Sequence, residues 1–280
     1  PGQHGGRARE VNVEGIPLDN GQHIMIGAYS ETLRMMRQVG VKTTIDLLRT
    51  PLRLVYADGS GLQVEAGPPL PALLRAIAHY PGRSRRERFA LLRATSMWAL
   101  RGFRCAPELT VAELCAGLPV KVREELFAPL CVAALNTPAD QASASVFLRV
   151  LKDSLFSGPG SSDLLLPRAS LSALFPEAAA DWLRHAGAEI HLSSRISSLR
   201  RGVHLWQVDG ETFDAVVLAC SPNEAARLAR DINPGWADLA ANLPFEPIVT
   251  VYARGTGTRL PLPMLALRST PEAPSQVVLD

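Results

Sequence analysis

Histidine, cysteine and aromatic side chains are scarce in this 280-residue chain, and each shortage removes a class of function. The histidines sit at no metal-ligand spacing, and His79, His185, His191 and His204 read as surface or satisfied core positions. The cysteines, Cys105, Cys115, Cys131 and Cys220, contain no Cys-x-x-Cys and read as reduced thiols of a cytoplasmic protein. With 6% aromatic residues, no cluster stands out that would cage a cationic amine. A net charge of +2 gives no general attraction for nucleic acid or another acidic polymer. The longest uncharged apolar run, 126–139, is broken by Pro129, Asn136 and Pro138 and is too short to span a bilayer. No metal motif, internal repeat, signal peptide or hydrolase-like Ser/His/Asp order is visible.

What is present is a chain that buries a core. It is 47% hydrophobic and 20% charged, which excludes disorder, and its length suits one large domain or two ordinary ones. Its most informative stretch is Gly5-Gly6-Arg7-Ala8-Arg9. Adjacent glycines let a backbone approach a ligand closely, and the arginines offer planar donors suited to a phosphate. The plain alternative is a flexible tail with two chance glycines. The continuation favours the ligand: Val11, Val13 and Ile16 suggest an extended hairpin turning at Glu14-Gly15. Asp19-Asn20-Gly21 then makes a second turn, leading through Gln22 and His23 to Ile24, Met25 and Ile26. Together these segments would form a pocket wall, and His23 on that wall is the one candidate catalytic side chain.

Further along, Ser30 is placed to cap a helix ending at Gly40, with Leu33, Met36 and Val39 inward. Leu52 to Val64 reads as a hairpin around Asp58-Gly59-Ser60-Gly61, which a tight turn explains without catalysis. A helical region follows to about residue 155, with Leu70, Leu73, Leu74 and Ile77 on a buried face. Arg83, Arg85, Arg86 and Arg88 read as a solvated helix start, or as a surface for anionic lipid headgroups. Thr137-Pro138-Ala139-Asp140 fits a capping box for a helix carrying Val146, Phe147, Val150, Leu151 and Leu155. Ser157 to Ser162 lacks the lysine of a phosphate loop and reads as a plain loop.

The last third suggests a helix over 177–186, strands near 189–199 and 203–207, and a turn at Asp209-Gly210. Phe213 to Cys220 is an apolar run of the kind buried in a parallel sheet, followed by a capping box at Ser221-Pro222-Asn223-Glu224. Strand, turn and capped helix put a helix N-terminus at a strand's carboxyl end, where open α/β sheets bind ligands. A helix over 223–230 and strands near 247–253, 264–267 and 276–279 complete the reading.

Gly-Gly-Arg-Ala-Arg and Leu18-Asp-Asn-Gly-Gln-His23 leading to Gly27-Ala28-Tyr29 resemble the FAD-dependent amine oxidase/phytoene desaturase superfamily. A second block resembles its squalene-associated branch, the hydroxysqualene dehydroxylases of bacterial hopanoid synthesis. That block comprises Pro129 to Pro138, Gln141 to Ala144, Asp163 to Arg168 and Leu174-Phe175-Pro176.

The resemblance implies a mixed α/β (α+β) fold: a partial FAD-binding Rossmann-like domain with an inserted helical and antiparallel-sheet substrate domain. Residues 1–50 and 163–232 would belong to the first, 51–162 and 233–280 to the second. The cofactor would be FAD, held by Gly5, Gly6, Arg7, Arg9, Asn20, Gly21 and Gln22, with Ile196 beside the adenine and Ala219 near the flavin. The implied substrate is a squalene-type isoprenoid, with the hydroxyl of hydroxysqualene removed. A carotenoid desaturase or flavin amine oxidase is the rival on the same fold, and a flavin-free lipid-binding module the rival of another class. A cytoplasmic protein is expected, with peripheral contact at the inner face of the membrane as a further expectation. Neither the Gly-x-Gly-x-x-Gly unit of such enzymes nor their C-terminal Gly-Asp segment is found, so the stretch is expected to be a fragment.

Overall fold

The computed structural model describes residues 2–65, 67–255, 257, 259–270 and 272–280. The chain opens on a hairpin of β1 (Glu10–Val13) and β2 (Ile16–Asp19), closed between Val13 and Ile16. Glu14 and Gly15 both have positive φ, the two-residue turn that matches strand twist. After β3 (Met25–Ile26) comes α1 (Ser30–Gln38), which buries Leu33 and Met36 as their spacing requires. Ser30 is not its cap. Tyr29 occupies that position without a side-chain bond, because the preceding backbone is held by Ala28 N donating to Ser161 O (2.9 Å).

A short α2 (Thr43–Asp46) leads into β4 (Leu47–Thr50), and β5 (Arg53–Val55) pairs with β6 (Gly61–Gln63) as the sequence pattern requires. The expected Gly-Ser-Gly turn is structural. Ser60 donates from its N (2.9 Å) and Oγ (2.6 Å) to Asp58, and with Arg268 these bonds hold the Asp58 carboxyl down at about 2.

The helical unit comprises α3 (Pro69–Ala78), α4 (Arg85–Leu100), α5 (Val111–Leu114), α6 (Val120–Val122), a π turn over Arg123–Phe127, α7 (Ala128–Leu135) and α8 (Ala144–Phe156). Its core runs from Leu62 through Leu73, Ile77, Trp98 and Phe127 to Phe147, Leu148 and Leu151. Trp98 meets Phe127 edge-on at 5.4 Å, and Phe127 meets Phe147 at 6.3 Å. The side chain of Leu70, assigned above to the buried face, lies outside the described residues, and Leu74 is exposed.

The capping box expected at Thr137 is absent: Thr137 Oγ1 donates to Leu135 O, and α8 starts at Ala144 behind Ser143. Capping boxes form instead at Ser84–Glu87 and Thr110–Glu113. The arginine cluster divides. Arg83, only 8% exposed, pairs with Glu125 at 2.6 Å, and Arg88 donates to the Ala78 and Tyr80 carbonyls, while Arg85 and Arg86 stay in solvent.

Strand β7 (Leu164–Pro167) returns the chain to the first unit and pairs antiparallel with β3 on one side and β4 on the other. Leu164, Leu165 and Leu166 are all buried, as a strand covered on both faces requires. Arg49 fixes its mouth, with Nε 2.7 Å from Asp163 and Nη2 donating to Gly160 O. Two helices follow, α9 (Leu171–Leu174) and α10 (Pro176–His185), the second ended by Gly187 at φ +85°.

The rest departs most from the sequence pattern. Strands β8 (Leu199–Arg201), β9 (Trp206–Val208) and β10 (Glu211–Phe213) form an antiparallel meander. Residues 189–198 form no strand, and Val203 lies in the β8–β9 turn at 92% exposure. The run to Cys220, expected as a buried parallel strand, is unpaired beyond Phe213, and Val217 is 87% exposed. A strand needs a ladder partner on its edges, and none of the described residues supplies one there. The same holds for 247–253.

Helix α11 (Pro222–Ala229) begins at Ser221 without a side-chain cap bond, because Glu224 binds Arg195 and Arg227 instead. It packs on α12 (Pro234–Ala241) through Ala226, Ala237 and Ala240. Strands β11 (Met264–Ala266) and β12 (Val277–Leu279) pair as expected.

Two predictions follow from this packing. A Cβ on Gly27 would run into the Gly160 carbonyl, with Arg49 Nη2 at 2.8 Å, so Gly27→Ala is expected to cost about 1–3 kcal/mol of stability in thermal unfolding. Burial pushes the Cys115 thiol up to about 12 and also raises Cys131. At pH 8, Ellman's reagent should therefore titrate exposed Cys220 first, and Cys115 and Cys131 only after denaturation.

Candidate functional site

The opening loop is a tight turn before it is anything else. Ala8 N donates to Gly5 O (2.9 Å), and both glycines have positive φ, +95° and +57°. Their surroundings differ. A Cβ on Gly5 would strike the Ala8 carbonyl and lie 3.0 Å from Pro176 Cγ, whereas one on Gly6 would meet nothing within 4 Å. Gly5 is there to make the turn, and Gly6 leaves an open flank against the backbone.

Arg9 folds back, its Nη1 donating to Gly6 O (2.7 Å), which locks the loop. Arg7 is exposed, and its guanidinium makes no hydrogen bond or ion pair among the described residues. Asn20 ties the second motif to the first: its Nδ2 donates to Arg7 O (3.2 Å) and its backbone N to Arg9 O (2.8 Å). Gly5, Gly6, Arg7, Arg9, Asn20 and Gly21 thus form one patch, although they come from two segments.

Asp19 holds that patch to the rest of the protein. Its Oδ1 accepts from Leu171 N (2.8 Å) at the start of α9, and Glu10 N donates to Ser172 Oγ (2.9 Å) beside it. On the other flank lies residue stretch 248–252. Tyr252 OH donates to Asp19 O (2.9 Å) and Gln22 N to Thr250 Oγ1 (3.3 Å). Burial, then the Asp19 carboxylate, raises the Tyr252 phenol above its ordinary value. A cleft of about 260 Å³ lies between these walls, lined by Val11, Asn20, Gly21, Ile248 and Tyr252 among others. His23 is exposed, with Nδ1 3.1 Å from the Gly21 carbonyl oxygen, and it does not line this cleft.

Ile196 and Ala219 are placed apart from this hydrogen-bonded patch. Ile196 is half-buried, and its carbonyl accepts from Arg227 Nη2 (2.6 Å) on α11. Ala219 is exposed on the unpaired segment before α11. A second cleft of about 340 Å³ has a leucine floor and a rim of Arg37, Arg49 and Arg168.

The open flank of Gly6 and the uncommitted guanidinium of Arg7 fit an oxyanion such as a cofactor phosphate. The 260 Å³ cleft falls just below the roughly 300–1,000 Å³ typical of pockets that bury a drug-sized ligand. Sequence reasoning read Asp19 only as a turn residue and missed Thr250 and Tyr252. For Asp19 the signal was local, a carboxylate two residues before a positive-φ glycine, but its target lies 152 residues away.

Fold and cofactor class are those of the Rossmann-like, flavin-dependent oxidoreductases. The chain belongs to the family of flavin containing amine oxidoreductases, whose profile matches residues 2–258. It is 26% identical over 241 residues to a hydroxysqualene dehydroxylase of Sinorhizobium fredii, covering 81% of this chain and 55% of that protein. A second hydroxysqualene dehydroxylase, from Rhodopseudomonas palustris, is 26% identical over 246 residues, covering 81% and 56%. The chain therefore spans about half the length of the curated relatives it matches.

Among solved structures, an oxidoreductase from Methanosarcina mazei superposes with a TM-score of 0.56 at 14% identity, covering 85% of this chain and 57% of that one. A putrescine oxidase variant redesigned in cofactor binding superposes with a TM-score of 0.54 at 12% identity, covering 80% and 52%. At such identities the likeness is one of fold.

The bond from Leu171 N to the Asp19 carboxylate makes a stability prediction. Removing a charged acceptor from a half-buried donor in Asp19→Ala should cost about 1.5–3 kcal/mol in urea unfolding. An unchanged midpoint would show that water serves Leu171 equally well.

Proposed function

We propose that this chain is part of an FAD-dependent oxidoreductase acting on a squalene-type isoprenoid, removing the hydroxyl of hydroxysqualene to give squalene. The observation that carries the reading is the patch of Gly6, Arg7 and Asn20, an open backbone flank beside an uncommitted guanidinium, in a chain similar to two hydroxysqualene dehydroxylases. In this reading Gly6 and Arg7 bind a cofactor phosphate, Arg9 and Asn20 hold the loop in shape, Asn20 and Gly21 wall the cleft, and Gln22 ties that wall to Thr250 through its backbone N. Ile196 lies beside the adenine and Ala219 near the flavin ring in the assembled site. His23 has no assigned role, because it is not among the residues that line the cleft.

The net reaction is a reduction: a C–O bond breaks, the oxygen leaves as water and a C–H bond forms, so two electrons are needed. Reduced FAD supplies them when bound. The protein's own task is to align an apolar chain, exclude water and stabilise developing positive charge with fixed dipoles.

Residues 1–50 and 163–232 form the cofactor part, and 51–162 and 233–280 the substrate part. Two separate cores support this division, one of Leu33, Met36, Leu47 and Leu165, the other within 62–151. The α11–α12 pair straddles residue 232. We place the protein in the cytoplasm; no helix among the described residues is long and apolar enough to cross a membrane.

The test is titration of the purified protein with FAD, followed by flavin absorbance, for wild type and Arg7→Ala. Loss of one charge-assisted bond should raise Kd about tenfold, about 1.4 kcal/mol. Equal affinity would remove Arg7 from the site. Uptake of hydroxysqualene with no flavin binding at all would favour the flavin-free lipid module instead.

A further inference from the structure

Helix α4 is amphipathic in an unusual sense. Its inward side is fixed: Leu91 (2% exposed) and Trp98 (7%) are buried in the helical core, so the helix cannot roll. At 100° per residue, Arg86, Phe89, Arg93, Met97 and Leu100 fall on the opposite side as a single ridge. That ridge is not polar. Phe89 is 68% exposed and Leu100 84%, and Met97 is exposed beside them.

The cations interleaved with these apolar groups are uncommitted. Arg85, Arg86, Arg93, Arg101 and Arg104 are exposed and make no hydrogen bond or ion pair among the described residues. This contrasts with Arg83 and Arg88, which are tied inward. The acid on α4, Glu87, is taken by Ser84 N (2.8 Å) and Oγ (2.9 Å), which hold its carboxyl below the usual range. Five arginines without an ion-pair partner among the described residues thus gather on and just beyond one helix, against the single ionised carboxylate of Glu87, in a chain whose net charge is +2.

An aromatic and two aliphatic tips among arginines suit an interface that is anionic at its surface and apolar just beneath. Arginine stems lie along apolar surface while their heads stay with phosphates. A bilayer of anionic lipids supplies both layers at once along the whole 86–100 ridge, charge at the headgroups and an apolar layer directly beneath for Phe89, Met97 and Leu100. We propose that the outward face of α4 docks onto an anionic bilayer, with the helix axis in the plane of the headgroups. This rests on α4 alone and does not depend on the flavin or on the substrate.

The experiment is co-sedimentation of the protein with vesicles of phosphatidylcholine alone or with 30% phosphatidylglycerol. Binding is expected only to the anionic vesicles and is expected to weaken steeply between about 50 and 500 mM salt as charges are screened. Each arginine near such a surface contributes about fivefold, so Arg86→Gln/Arg93→Gln should lower the partition coefficient about 25-fold. Phe89→Ser/Leu100→Ser should lower it at least tenfold in low salt. Because all four side chains are exposed, both variants should keep the wild-type melting temperature, which separates lost docking from lost folding. Failure to bind anionic vesicles, equal binding to neutral ones, or wild-type binding by both variants would each overturn the proposal.

Discussion

The two-sided pairing of Leu164–Pro167 is the constraint on which the unit around the opening hairpin depends. One strand completes ladders with Met25–Ile26 and with Leu47–Thr50, segments more than a hundred residues earlier. Closing so long a loop is entropically costly, and the cost is offset only when the strand is buried on both faces. Three consecutive leucines meet that condition. Everything around the glycine–arginine loop then follows from this register. The strand delivers α9 to the point where Leu171 N meets Asp19, Asp19 fixes the first hairpin, and the hairpin carries the loop.

Packing at the mouth of that strand is as demanding as the pairing. A Cβ on Gly27 would run into the Gly160 carbonyl, and one on Gly160 would meet the Arg49 and Asp163 side chains, while Arg49 spans the gap to Asp163 and the Gly160 carbonyl. An exposed ion pair of this kind adds little by itself. Its effect is to orient a loop that is also held by Gly27 N donating to Asp163 O and Ser161 Oγ donating to Ser154 O. The helical unit is organised differently, by apolar contact around Phe147 and Leu148, with the Tyr56 hydroxyl joining the hairpin, and Arg83 the α3–α4 link, to the π turn at Glu125. One unit is registered by hydrogen bonds, the other by volume.

The contrast explains which segments stay unpaired. Residues 189–198, 214–220 and 247–253 read as strands but have no ladder partner among the described residues, and most of their side chains stay exposed. The two sites implied only by resemblance, Ile196 and Ala219, lie on such segments, whereas the residues read from the loop itself come together.

Local pieces were legible in the sequence: both early hairpins, the buried face of α1, Leu73 and Ile77 (though not Leu74) on the inner side of α3, the helix before Gly187, and the flavin family through its motifs. Turn residues, 3.6-residue periodicity and glycine placement act over a few residues, so they are legible without the fold. Tertiary structure decided the rest. It put the helix start at Ser143 rather than Thr137, and it divided one arginine cluster into a buried ion pair and a solvent face. It also aimed Asp19 at Leu171 and left the 214–220 run unpaired. Each of these turns on a partner far along the chain, whose presence or absence no local pattern records.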